Sequence, residues 1–101
     1  NVRKDFDGAE AAFRTTIAAD PGDVGANFNL GILLWQERKD FDGAEAAFRT
    51  TIAADPGDAR AHSNLGALLW QERKDFDGAE AAFRTTIAAD PGDVGANFNL
   101  G

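Results

Sequence analysis

Apolar and polar residues follow one another along this chain with the period of a helix. Between Asp40 and Ala54, Phe41, Ala44, Phe48, Thr51 and Ile52 fall near the i, i+3, i+7, i+11 positions of one helical face. The spacing predicts an amphipathic helix, in which Thr50-Thr51 combines an exposed with a buried position. Asp40 or Asp42 is placed to cap its start, and Asp42 with Glu45 matches the capping-box spacing. Glu45 and Arg49 stand four apart in the favourable order, as do Glu10–Arg14 and Glu80–Arg84. Asp55-Pro56-Gly57 ends the helix, because the residue before proline is pushed away from helical angles. Asp58 then caps a second kind of helix, as Asp23 and Asp93 do at matching places.

That second kind, first seen at Val24–Glu37, is apolar on two sides. Ala26, Leu30, Leu33 and Leu34 share one side. Phe28, Ile32 and Trp35 lie at i, i+4, i+7 on nearly the opposite side, beside Gly25, Asn29 and Gln36. Such a helix is either buried on both sides or displays a binding surface. Gly31 and Gly66, in mid-helix, predict a close helix–helix approach, since glycine there is otherwise unfavourable.

These elements recur. The string RKDFDGAEAAFRTTIAADPGD occupies Arg3–Asp23, Arg38–Asp58 and Arg73–Asp93, identical in each copy, with a period of 35 residues. Between the copies lie Val24–Glu37 and Ala59–Glu72, which differ at five positions: Val24/Ala59, Gly25/Arg60, Asn27/His62, Phe28/Ser63 and Ile32/Ala67. We call the two kinds the constant and the variable helix. The expected division is a constant helix in 1–22 (its helical part about Asp5–Ala19), full units at 23–57 and 58–92, and a partial variable helix at 93–101. One hairpin buries too little apolar surface to stand alone, so units must stack.

The unit resembles a tetratricopeptide repeat. Asn29-Leu30-Gly31, Trp35, Asp40-Phe41, Ala44, Phe48 and Asp55-Pro56 fall in that family's order, and so do Asn64-Leu65-Gly66, Trp70, Asp75-Phe76, Ala79, Phe83 and Asp90-Pro91. The resemblance spans essentially the whole chain. It implies an all-α fold, a right-handed α-solenoid of antiparallel helix pairs whose inner groove binds peptides and other proteins. Two departures stand out. There is one residue more than the family's usual 34, around Gln36–Lys39, which predicts a longer inter-helix turn. Asn27 and His62 occupy the place of the family's early tryptophan.

The reading of function follows from the second face of the variable helix. Three of the five differences, Gly25/Arg60, Phe28/Ser63 and Ile32/Ala67, lie on it, while the constant string does not vary. The candidate partner-binding residues are Phe28, Asn29, Ile32, Trp35 and Gln36 in one unit, and Arg60, Ser63, Asn64, Trp70 and Gln71 in the next, with Asn99 beyond. Asn29, Asn64 and Asn99 would form a ladder, because a side-chain amide both donates to and accepts from a peptide backbone. In the family, asparagines matching these positions make such ladders in some members and grip a terminal carboxylate in others. The latter add groove cations; here Arg60 is the one cation on that face of the variable helices, which argues against that mode. The competing readings are aromatics packed on an adjacent unit and asparagines bonded within the fold.

Composition narrows the partner. Ten Lys+Arg against seventeen Asp+Glu leave a net charge of −7, too acidic for a phosphate-backbone binder, so no nucleic acid is expected. No apolar run approaches the roughly 18 residues of a membrane span, so no membrane is expected either. Without cysteine, and with His62 as the one histidine, thiolate chemistry and His-rich metal clusters are excluded. Asp40-Phe41-Asp42-Gly43 echoes the start of a calcium loop, but the further oxygen ligands are missing and capping explains the acids. No catalytic residue, metal or cofactor is expected, and the chain is read as a non-enzymatic scaffold for a protein or peptide. The alternative is a structural or designed repeat with no dedicated ligand. In both readings the chain is a segment of a longer array or an engineered repeat, whose apolar ends (Phe6, Phe13, Ile17; Phe98, Leu100) favour end-to-end self-association.

Overall fold

The computed structural model describes residues 2–89. The helices are α1 (Val2–Ala19), α2 (Val24–Gln36), α3 (Phe41–Ala54), α4 (Ala59–Leu68), continued by a π-helical turn at Leu69–Arg73, and α5 (Phe76–Ala89). Aspartates cap the starts of α2 to α5, and Asp-Pro-Gly follows the ends of α1 and α3. Asp23 accepts a hydrogen bond from the Ala26 amide at 2.8 Å, and Asp58 from the Ala61 amide at 3.1 Å. Each satisfies a first-turn N–H that would otherwise lack a partner. The constant helices are capped by Asp40 and Asp75, which accept from Gly43 and Gly78 at 2.9 and 3.0 Å. The Asp42–Glu45 capping box therefore does not form: Asp42 already lies in the first turn of α3, and its carboxylate turns outward to Arg73. α1 begins at Val2, three residues before the expected Asp5.

The α2 helix packs against both α1 and α3, and α4 against both α3 and α5. The side of α2 carrying Ala26, Leu30, Leu33 and Leu34 is buried, as its pattern requires. Facing it, Ala44, Phe48 and Thr51 of α3 have no exposed surface at all, and Ala79, Phe83 and Thr86 of α5 repeat the arrangement. Leu30, Leu34, Phe48, Leu65, Leu68 and Phe83 belong to a single apolar cluster that runs from unit to unit. Each such side chain contributes about 1.5–3 kcal/mol by leaving water. The mid-helix glycines explain how the phenylalanines fit. A Cβ on Gly31 would lie 2.7 Å from the Phe48 ring, and one on Gly66 would lie 2.6 Å from Phe83. The architecture is an α-solenoid of helix pairs.

The additional residue of the 35-residue period sits in the corner between variable and constant helix. The Arg38 amide reaches five residues back to Leu33 O at 3.2 Å, and the Asp40 amide six back to Leu34 O at 2.8 Å. This is a widened last turn closed by a left-handed residue, the geometry usually given to glycine. Here lysine fills it: Lys39 and Lys74 both have φ of 56°.

Candidate interaction face

The candidate residues stand on α2, on α4 and on the π-helical turn that continues it, and Phe28, Ile32 and Trp35 are partly buried against the core. Phe28 is half-buried, its ring 6.0 Å from that of Phe48 in its own unit. Trp35, also half-buried, meets Phe48 edge-on at 6.3 Å. The next unit reaches over both. The Arg60 guanidinium lies 4.4 Å from the centre of the Phe28 ring, and the Glu72 carboxylate accepts from Trp35 Nε1 at 3.1 Å. Contact with an adjacent unit is thus real for both aromatics, yet neither is sealed. Ile32 and Ser63 are half-buried, while Asn29, Gln36 and Gln71 are exposed.

Arg60 is a shared group. Its Nη2 donates to Asp58 at 3.0 Å while its flat face covers Phe28, so one cation joins a helix cap to an aromatic of the preceding unit. The Arg60 guanidinium holds the buried Asp58 carboxyl below its ordinary value, and burial opposes this in part. Asn64 donates through Nδ2 to the Arg60 carbonyl at 2.9 Å, an internal bond of the kind the competing reading names. Its Oδ1 and second N–H are additional capacity. Asn99 lies outside the described residues.

Trp70 is 45% exposed and stacks edge-on with Phe76 at 5.0 Å, itself 51% exposed. Their counterparts Trp35 and Phe41 are half-buried. Glu72 accepts from Trp35, and Arg73 binds Asp42 and Glu45.

Residues outside the candidate contacts also shape this face. Asn27, at the family's tryptophan position, is buried and donates to the carbonyls of Pro21 at 3.0 Å and Asp23 at 2.9 Å. His62 Nε2 meets the Pro56 carbonyl at 2.8 Å. Two different polar residues thus fix the entry turn where an indole would otherwise fill space. Arg38 binds Asp7 and, at 3.1 Å, Glu10; Arg73 binds Asp42 and, at 3.4 Å, Glu45. The identical spacing of acids and arginine in each copy was the available signal for these clasps. The constant-helix side also has a hollow of about 460 Å³, lined by Arg14, Ile17, Leu30, Leu34, Ala47 and Thr50. Those six residues recur unchanged one unit on as Arg49, Ile52, Leu65, Leu69, Ala82 and Thr85, whereas Asn27, which also lines the hollow, is replaced there by His62. Among the described residues no group of three or more His, Asp or Glu is placed to hold a metal ion, and no helix is long and apolar enough to cross a membrane.

Comparison with known proteins agrees with this architecture. No curated protein matches the sequence. A solved structure of the first TPR of Spaghetti (RPAP3) bound to the HSP90 peptide SRMEEVD superimposes with a TM-score of 0.87 at 19% identity, over 97% of this chain and 76% of that one. A crystal structure of MamA superimposes with a TM-score of 0.85 at 24% identity, over 98% of this chain and 57% of that one. At such identities the likeness is one of fold. The family model described as tetratricopeptide repeat matches residues 3–49, 37–94 and 71–101. With matches that run through every unit and a fold to go with them, the chain belongs to the tetratricopeptide repeat family.

Proposed function

We propose that the chain is a non-enzymatic interaction scaffold, and that an extended peptide or partner segment lies along the outward face of α2 and α4. The observation that carries this reading is a row of half-exposed apolar and exposed amide side chains on two adjacent variable helices, where the units differ from each other, set on constant helices that do not differ. Phe28, Ile32, Trp35 and Trp70 supply apolar contact, Asn29 and Asn64 backbone hydrogen bonds, Gln36, Gln71 and Ser63 polar flanks, and Arg60 one charge contact. The peptide in the Spaghetti structure supports the same use of the fold. Capture from a phage-displayed random-peptide library tests it. The paired substitution Asn29→Ala with Asn64→Ala should lower recovery of selected peptides roughly tenfold, the effect of one or two lost hydrogen bonds. Equal recovery by both proteins would remove the asparagine ladder, and failure to select any peptide would remove the reading.

A second reading, association of copies end to end, is favoured by the exposed Trp70–Phe76 pair. It uses the ends of the array rather than the face and is compatible with the first.

A further inference from the structure

On α2 two aromatic rings meet polar groups of the following unit. Phe28 is the first. The Arg60 guanidinium lies 4.4 Å from its centre and donates to Asp58 at 3.0 and 3.3 Å, so a cation joins the ring to an acid. The face of an aromatic ring attracts a cation, and a carboxylate adds a charge-assisted hydrogen bond. Trp35 is the second ring, two helical turns or about 10 Å further along α2. Its Nε1 donates to Glu72 at 3.1 Å, which sets an exposed carboxylate at the edge of a half-buried indole. Ring and acid are both present here, yet among the described residues no cation pairs with Glu72 or lies over Trp35. A neighbouring unit does not supply one. Glu72 has a unit before it and its counterpart Glu37 has one after it, and both acids are exposed and without a cation among the described residues.

We propose that the Trp35–Glu72 pair receives a cationic side chain, arginine above all, from the segment bound along this face. This rests on the scaffold function proposed above and names its partner's chemistry: an extended basic segment. Arginine is favoured over lysine because a flat, weakly hydrated guanidinium lies on a ring while its N–H groups reach an acid beside it. Arg60 already does this on Phe28 and Asp58. One Glu72 oxygen accepts from the indole, and the other has capacity for the guest. Charge complementarity points the same way. No charged residue occurs in α2, so Glu72 sets the local sign beside Trp35, and the net charge of −7 draws cations from further away.

Three phage-displayed pools test this on the 101-residue chain. One holds random peptides of uncharged residues, the second adds a single arginine, and the third a single glutamate instead. The arginine pool should be recovered roughly three- to tenfold above the uncharged pool, with a smaller margin at high salt. Glu72→Gln removes the charge at an exposed position and keeps an acceptor for Trp35, so the fold is retained, as a thermal melt checks. It should erase most of the arginine margin. Asp5→Asn removes the same charge from an exposed position of the constant helix α1 and should preserve the margin. Equal recovery of the three pools, or preference for the glutamate pool, would overturn the cation site and leave the scaffold function standing. A margin that survives Glu72→Gln, or that Asp5→Asn also erases, would overturn it as well, because net charge alone would then account for the preference. Recovery from none of the pools would overturn the scaffold function and this inference with it.

Discussion

Gly31 and Phe48 illustrate how a single atom sets the spacing of two helices. With no Cβ at position 31, the Phe48 ring fills the space against the α2 backbone and loses all contact with water. Adding a side chain there must move either the ring or the helix. Gly31→Leu should therefore lower the unfolding free energy by about 1–3 kcal/mol despite leucine's better helix propensity, read as a shift of the urea midpoint. An unchanged midpoint would mean that the two helices have slack at this crossing. The close approach is legible in the sequence because a glycine inside an apolar helical pattern has few other uses. The fate of Asn27 and His62 is not: nothing local distinguishes an amide or imidazole that locks the Pro21 or Pro56 carbonyl from one that faces solvent. The same applies to Asn64, whose amide bonds the Arg60 carbonyl.

At the scale of the helices, the stops and caps were readable, and of the corners the added length but not the conformation. Aspartate before proline and aspartate after glycine act within three or four residues, so the chain declares them directly. The corner at Arg38-Lys39 depends on a left-handed residue for which the sequence offers lysine, with no glycine to betray it. That conformation costs a side-chain-bearing residue about 1–2 kcal/mol, partly recovered from the carbonyls it lets the amides of Arg38 and Asp40 satisfy. Lys39→Gly should relieve the strain against some added freedom of the unfolded chain, a net gain of about 0.5–1 kcal/mol in chemical denaturation. The same substitution at Lys74 should act alike, since the corners share one geometry.

Across the whole molecule, units are joined by apolar surface and by arginines that reach back one helix pair. The acids involved report on acid stability. Glu10 is held below its ordinary carboxyl value first by Arg14 and then by Arg38, against some burial, and Asp58 chiefly by Arg60. A depressed folded value means that the unfolded chain takes up its proton first as pH falls. Stability is then fully present above the unfolded carboxyl range, about pH 4, and is lost as pH drops through the lower folded values. Thermal midpoints should be flat from pH 7 to about 5 and decline below about 4. Glu10→Gln with Asp58→Asn should start lower at pH 7 and decline less steeply; parallel profiles would show that these two acids do not govern the transition. The clasps of Arg38 and Arg73 span 28 and 31 residues, and the Trp35–Glu72 bond spans 37, so helix-by-helix patterning gives no view of them. They follow only once the pairs are stacked.

Because Arg73 stands toward Asp42 and Glu45 as Arg38 stands toward Asp7 and Glu10, the joints are interchangeable. Excising residues 24–58 would splice Asp23 to Ala59 at the same turn sequence and bring Arg73 to Asp7 and Glu10. The excision would remove the Arg60–Phe28 stack and leave the remaining joint chemically whole. The chain is in this sense modular by links of 35 residues, and a gene that gained or lost one such link would still encode a properly jointed rod.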